Sequence, residues 1–246
     1  MTYFTQVHVA NIFGIFGNII SSMVFLSPVP TFYTIWTNKS TAGFQSVPYV
    51  VALFSATLLL YYGILKKHDV VLLITINSFG ILIETVYISI YLYYSTTKVQ
   101  TVRMLVLILV GFAAIVISSQ FAIKDYSSRL QIVGRICLVF SVCVFVAPLL
   151  VVKQVIQTKN SQFMPFYLSL TLTINAIIWF IYGLLINDMN IAIPNVLGLF
   201  FGVVQMILYW IYRNGPRPNL PIVNNDVIEG DVERNVEEEL GQALDE

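Results

Sequence analysis

Thr75-Ile76-Asn77-Ser78-Phe79-Gly80 sets an asparagine deep inside a long apolar run, and Ile193-Pro194-Asn195-Val196-Leu197-Gly198 does so again near the end of the chain. Hydrocarbon satisfies neither the two donors nor the carbonyl of an amide, so neither side chain belongs on a lipid-facing surface. Two such amides at corresponding positions of two similar halves, each followed three residues later by glycine, point to a shared polar site on an internal pseudo-symmetry axis.

The 246 residues around this pair are 57% hydrophobic and 11% charged, with a mean hydropathy of +0.80. Soluble domains carry roughly 25% charged residues, so the composition places the chain in a membrane. The net charge of zero hides an asymmetry. Nine of the 13 acidic residues follow Asn225, leaving Asp69, Glu84, Asp125 and Asp188 against 11 basic residues up to Arg213, a body of +7. Those basic residues are scattered in short connections, which reads as topology and not as a nucleic-acid surface. Cys137 and Cys143 stand six apart in one apolar run and face different sides of a helix, so no disulfide framework is implied. The N-terminus lacks a charged segment followed by a cleavage site, and the first span is expected to act as its own insertion signal.

Seven apolar runs of spanning length mark the chain, at about 8–30, 46–65, 70–94, 104–123, 131–152, 165–186 and 190–212. Lys and Arg distribute as seven on one side (Lys39, Lys98, Arg103, Lys153, Lys159, Arg213, Arg217) and five on the other (Lys66, Lys67, Lys124, Arg129, Arg135). The larger set belongs in the cytoplasm, so the N-terminus is expected outside and the C-terminus inside. That orientation keeps the sequon Asn38-Lys39-Ser40 cytoplasmic and free of sugar.

An internal repeat decides the architecture. A shift of 120 carries Gly14 onto Gly134, Val24 onto Val144, Phe25 onto Phe145, Pro28 onto Pro148, Leu59 onto Trp179 and Tyr62-Gly63 onto Tyr182-Gly183. A shift of 118 then carries Asn77 onto Asn195, Gly80 onto Gly198 and Tyr91 onto Tyr209. Spans 1–3 thus match spans 5–7, and span 4 has no twin. Three spans per unit plus one linker span make the repeats parallel, related by an axis along the membrane normal. The expected fold is an all-α membrane protein of seven transmembrane helices, two parallel three-helix bundles joined by a linker helix. Residues 1–95 form the first repeat, 96–130 the linker helix with its loops, 131–213 the second repeat, and 214–246 an acidic tail. From Pro216 that tail is too poor in apolar residues to fold alone and contains no Ser, Thr or Tyr to phosphorylate. Its apolar residues recur every four positions, which leaves a partner-induced helix open.

Each candidate residue has a plainer reading beside the functional one. Buried amides cross-link transmembrane bundles for about 1 kcal/mol without binding anything. The twin placement of Asn77 and Asn195 favours a ligand site, and an uncharged amide suits a neutral polyol better than an ion. Pro28 and Pro148 free the carbonyls of Val24 and Val144, which must then meet another group, water or ligand. Together with Pro48 and Pro165 they read as hinges, or as tolerated kinks. Trp179 is one turn beyond Asn175, as Leu59 is beyond Ser55. An indole face suits the C–H face of a sugar ring, and it is equally ordinary bundle packing. Glu84, the one acid inside a span, is seven residues past Asn77 on the same face. A proton-coupling role for it lacks a second buried acid or histidine, which favours a structural hydrogen bond or a neutral carboxyl. His8 and His68 make no metal spacing, and no nucleophile elbow, zincin helix, phosphate loop or dinucleotide fingerprint is present. Neither an enzyme nor a metal or cofactor is expected.

Several stretches go further. Phe13-Gly14-Ile15-Phe16-Gly17-Asn18-Ile19, Leu26-Ser27-Pro28-Val29-Pro30-Thr31-Phe32, Lys39-Ser40-Thr41-Ala42-Gly43-Phe44-Gln45 and Ile83-Glu84-Thr85-Val86-Tyr87 resemble the plant SWEET sugar transporters. So do Phe163-Met164-Pro165-Phe166, Trp179-Phe180-Ile181-Tyr182-Gly183 and Pro194-Asn195-Val196-Leu197-Gly198, and the likeness runs from about Asn11 to Tyr212. The resemblance implies facilitative, bidirectional sugar transport by alternating access, without a coupling ion. By position it implies that Asn77 and Asn195 bind sugar hydroxyls, that Trp179 supplies a stacking wall, and that Val24, Ser55, Val144 and Asn175 line the pocket. It further implies that Pro28, Pro48, Pro148 and Pro165 bend on the cytoplasmic side and that Tyr62 and Asp188 gate the outer side.

Leu59 stands where many members have tryptophan, and Asn175 where sucrose carriers have serine. The added bulk of Asn175 narrows the site toward hexoses, whereas the general wording and long tail resemble the sucrose-type plasma-membrane subgroup. The expected partners are sucrose or a hexose, membrane lipid and, for a three-span repeat that can pair, a second copy of the chain. The competing readings are a hexose-selective uniporter, a proton-coupled porter using Glu84, and a seven-span receptor, which would need no duplicated pocket.

Overall fold

Within a bilayer every backbone N–H and C=O must be satisfied inside the chain, and helices do this segment by segment. The computed structural model describes residues 3–41, 43–68, 70–143, 146–161 and 166–215. Its helices among these are α1 (Tyr3–Leu26), α2 (Val29–Asn38), α3 (Val47–Lys66), α4 (Val71–Tyr94), α5 (Lys98–Phe121), α6 (Tyr126–Cys143), α7 (Val146–Thr158), α8 (Phe166–Leu185) and α9 (Met189–Tyr212). The tail from Pro216 lies outside the described residues.

Six stretches are long and apolar enough to cross a membrane by length and composition, the first being α1 and α2 together. The seventh span of the fold is α6 followed by α7. The helices reach past the apolar runs: the first extends to Asn38, the linker span α5 starts at Lys98, and the fifth starts at Tyr126. Hydropathy marks only the lipid-matched part of a span, while its polar ends still form helix. Asp125 fixes the start of α6 by accepting the Ser128 N–H at 2.7 Å, which also holds its carboxyl below the usual carboxylate range. Hydroxyls inside the spans bond the carbonyl four residues back, as Thr57 does to Leu53 and Thr173 to Ser169.

Six of the helices form a closed ring. Within the first repeat α4 sits between α1 and α3, and within the second α9 sits between α6 and α8. The repeats meet where α1 packs on α8 and α3 packs on α6. These crossings obey the 120-residue shift. A Cβ on Gly14 would lie 3.0 Å from the Tyr182 ring, and one on Gly134 would lie 3.0 Å from the Tyr62 ring. Twin glycines therefore admit twin tyrosines from the opposite repeat.

The unpaired helix α5 stands outside the ring, against α3 and α6. Paired hydroxyls stitch it to α3 at both ends, Ser46 with Thr101 at 2.6 Å and Tyr61 with Ser119 at 2.6 Å. Thr101 and Ser119 are its buried residues, so its apolar bulk is turned outward.

Three expected hinge positions fall at helix starts, where a missing N–H is tolerated. Pro28 caps α2 at a true break in the first span, Pro48 is in the first turn of α3, and Pro148 is in the first turn of α7. Pro165 and Val144 lie outside the described residues.

The ring crossings make a direct prediction. Gly14→Leu and Gly134→Leu each lower the melting midpoint of the purified protein by several degrees, overpacking costing about 1–3 kcal/mol. Gly111→Leu on α5, where nothing stands within 4 Å of a Cβ, leaves the midpoint unchanged.

Candidate binding site

Asn77 and Asn195 both stand six residues into helices that start on the face bearing the N-terminus, at a depth of roughly 9 Å. Each places one amide proton on the carbonyl four residues back, Asn77 on Leu73 at 2.8 Å and Asn195 on Ile191 at 2.7 Å. This equal local anchoring holds the side chains against their own helices, with an oxygen and one N–H left for a partner.

Between the two lies a cavity of about 230 Å³. Every helix of the ring contributes to its wall: Ser21, Val24 and Phe25 from α1, Leu59 from α3, Leu73, Ile76 and Asn77 from α4, Ser141 from α6, Asn175 and Trp179 from α8, and Asn190, Ile191, Pro194 and Asn195 from α9. None of these side chains is charged.

Trp179 is 6% exposed and lies flat against α1 because Gly17 has no side chain there. A Cβ on Gly17 would approach the indole to 2.9 Å. The indole N–H donates to Ser21 Oγ at 2.9 Å, and Ser21 donates in turn to Asn175 Oδ1 at 2.8 Å. A hydrogen-bonded chain thus joins the two repeats across the α1–α8 contact.

The cavity is sealed toward the N-terminal face. Tyr62 donates to Asp188 Oδ2 at 2.8 Å, the Lys66 ammonium reaches the same oxygen at 2.6 Å, and Asn190 donates to the Tyr62 hydroxyl at 3.2 Å. Asp188 is also the N-cap of α9, accepting the Asn190 N–H at 3.0 Å. One buried carboxylate therefore ties the end of α3 in one repeat to the start of α9 in the other. Lys66 keeps its charge near water, its side chain being 18% exposed.

Of the residues singled out from sequence, Val24, Leu59, Asn77, Asn175, Trp179 and Asn195 meet at one cavity, and Tyr62 and Asp188 meet at its sealed end. Ser55 stands apart, one turn before Leu59 on α3; Leu59 and Ser141 supply that wall instead. The carbonyl of Val24, freed by Pro28, is not available to a ligand. It accepts both the Ser27 N–H at 3.1 Å and the Ser27 hydroxyl at 2.8 Å. Glu84 is 4% exposed and outside the cavity lining, and its Oε2 has no hydrogen-bond partner among the described residues.

Sequence reasoning passed over Ser21, Ser141, Asn190 and Lys66. The 120-residue shift maps Ser21 onto Ser141 and carried that pair, unnoticed beside the larger residues.

Two parallel three-helix repeats closed around an uncharged cavity, sealed at one end by an inter-repeat ion pair, are the architecture of a membrane transporter. Residues 11–99 and 131–217 match a family described as "Sugar efflux transporter for intercellular exchange". The chain is 56% identical over 207 residues to the bidirectional sugar transporter SWEET11 of Arabidopsis thaliana, covering 83% of this chain and 71% of that one. It is 49% identical over 224 residues to SWEET9 of the same plant, covering 90% and 86%. A solved eukaryotic SWEET transporter superposes with a TM-score of 0.79 at 34% identity, covering 87% of this chain and all of that one. The chain belongs to the SWEET family of sugar transporters, and it is not an enzyme.

The sealed end yields a second prediction. Lys66→Ala or Asp188→Asn opens the N-terminal face, because it removes a charge-assisted hydrogen bond worth about 1.5–3 kcal/mol. A cysteine placed at Leu59, in a chain freed of Cys137 and Cys143, then reacts with a membrane-impermeant thiol reagent about ten-fold faster or more. Unchanged labelling would show that these residues do not hold the face shut.

Proposed function

We propose that the chain is a facilitative, bidirectional uniporter that carries sucrose or a hexose through the central cavity by alternating access. The observation that carries this reading is the pair of twin amides facing one uncharged cavity. A sugar hydroxyl both donates and accepts, which matches the remaining oxygen and N–H of each amide. An ion would find no counter-charge there, and a carboxylate or phosphate no cation.

The Trp179 face supplies an apolar surface for the C–H side of a pyranose ring. Opposite it stands Leu59, so only one of these twin positions carries an indole, and Phe25 adds a second aromatic ring to the lining. Asn175 narrows the cavity and adds hydrogen-bonding groups, and with Leu59 it is where the choice between disaccharide and hexose is made. The Tyr62–Asp188–Lys66 cluster acts as the outer gate, while Pro28, Pro48 and Pro148 lie at the bending points of the inner side.

The orientation that suits this reading has the N-terminus outside and the C-terminus in the cytoplasm, at the plasma membrane. Aromatic side chains carry cations at the C-terminal face, with Lys39 4.6 Å from the Trp36 ring and Arg213 4.1 Å from the Trp210 ring. Such pairs suit an interfacial belt on the side richer in Lys and Arg. Asn38 then stays unglycosylated when the protein is made in plant cells; a glycosidase-sensitive shift in mobility, lost in Asn38→Gln, would overturn the orientation.

Tracer flux of glucose and sucrose in transport-deficient cells tests the site. Asn77→Ala and Asn195→Ala each reduce flux about ten-fold or more, since a buried sugar hydroxyl left without a partner costs roughly 1–3 kcal/mol. Normal flux in both variants would end the central-site reading. Asn175→Ser raises sucrose flux relative to glucose. Flux of the wild type stays level from pH 5 to 8; a rise toward low pH that disappears in Glu84→Gln would replace the uniporter by a proton-coupled porter.

A further inference from the structure

The chain of bonds from Trp179 through Ser21 to Asn175 has a fixed direction. An indole N–H only donates, so Ser21 Oγ must accept from it at 2.9 Å. Its own proton is then free to be given onward, and the group 2.8 Å away on Asn175 is the carbonyl oxygen Oδ1. The amide of Asn175 is thereby turned so that its oxygen is held by α1 and its NH₂ has no hydrogen-bond partner among the described residues. Asn77 and Asn195 are anchored in the reverse sense. Each donates a proton to its own helix and keeps its oxygen unengaged.

We propose that Ser21 is a positioning residue for sugar recognition: held between the Trp179 indole and the Asn175 amide, it makes the α1–α8 wall a hydrogen-bond donor, flanked by α4 and α9 with the amides of Asn77 and Asn195. The cavity then reads a sugar with a donor at the α1–α8 wall and with mixed donor and acceptor amides on the helices to either side of it. Oxygens that face Asn175 are recognised as acceptors, whether hydroxyl, ring ether or glycosidic ether. Hydroxyls that face Asn77 and Asn195 meet both a free carbonyl oxygen and a remaining N–H. Ser21 touches the sugar only as part of the wall; its effect on specificity runs through Asn175.

This inference rests on the central cavity being the sugar site, and one experiment separates the two. Tracer flux of glucose, or of sucrose if that is the sugar carried, is competed with mono-deoxy and mono-deoxyfluoro glucoses modified at each ring hydroxyl in turn. Fluorine can accept a hydrogen bond weakly and cannot donate one. In the wild type, at least one position tolerates fluorine about ten-fold better than hydrogen, and that position faces Asn175. In Ser21→Ala the amide is released, and the preference for fluorine over hydrogen falls to about two-fold or less; Ser21→Thr, which keeps the hydroxyl, restores it. Asn175→Asp, which replaces the NH₂ by an acceptor, removes the preference by a separate route and serves if Ser21→Ala does not fold.

A wild type without any fluorine-tolerant position, or a Ser21→Ala or Asn175→Asp variant that retains it, overturns the proposal. If Asn77→Ala and Asn195→Ala also transport normally, the site reading falls with it. If those two fail as expected while the fluorine pattern ignores Ser21, only the positioning role falls.

Discussion

The bilayer gives a buried polar group no second chance, and the fold is arranged around that constraint. Asn77 and Asn195 each anchor one proton on a carbonyl within their own helix, so they remain tolerable when the cavity holds only water or nothing. The ring of six helices encloses what the amides leave unengaged. Lipid meets the outer faces and the turned-out apolar surface of α5, while all six ring helices share the polar centre. A single repeat offers three walls of that centre and could not shield its own asparagine.

Symmetry builds the container, and departures from it furnish the contents. Gly14 with Tyr182 and Gly134 with Tyr62 are the same contact made twice. Tyr62, however, also meets Asp188 and Lys66, and this charged cluster closes the N-terminal face. In the cavity, Trp179 and Asn175 on α8 face α1 through Ser21, whereas the matching places on α3 hold Leu59 and Ser55. The two sides of the pocket are therefore chemically unequal although the helices around them are near copies. A transporter that must distinguish the faces of an asymmetric sugar needs that inequality.

The architecture was legible because it depends on repetition and hydropathy, both of which a sequence displays. Runs of apolar residues located the spans, and the offsets of 120 and 118 located the pseudo-axis. Hydropathy misjudged span ends, since the helices run on through Thr31–Asn38, which buries Phe32 and Ile35, and begin already at the polar turn Lys98–Arg103. The large pocket residues were legible as well, by twin placement and by resemblance. What stayed hidden was hydrogen-bond traffic. That Ser21 accepts from the Trp179 indole and donates to Asn175, and that Lys66 shares an Asp188 oxygen with Tyr62, are facts of distance between residues up to 158 positions apart. No local pattern encodes them. Ser55 illustrates the converse: its register agrees with a pocket position, yet Leu59 one turn on fills the wall.

The break at Pro28 has a mechanical corollary. The Val24 carbonyl is closed by Ser27 on its own chain, and the Phe25 carbonyl is met from α4 by the Tyr87 hydroxyl at 3.0 Å. Beyond the break, α2 is a ten-residue rod held by side chains, with Phe32 stacked on Tyr87 at 4.3 Å and 10°. A tilt of this rod about Pro28 therefore leaves the Ser27 closure of the Val24 carbonyl in place. What such a tilt must work against is the sliding of aromatic rings and, at the far end of the rod, the bond from the Lys39 ammonium to the Tyr94 hydroxyl at 3.1 Å. The first span behaves in this respect as two rigid links on a pivot whose own polar groups are already satisfied.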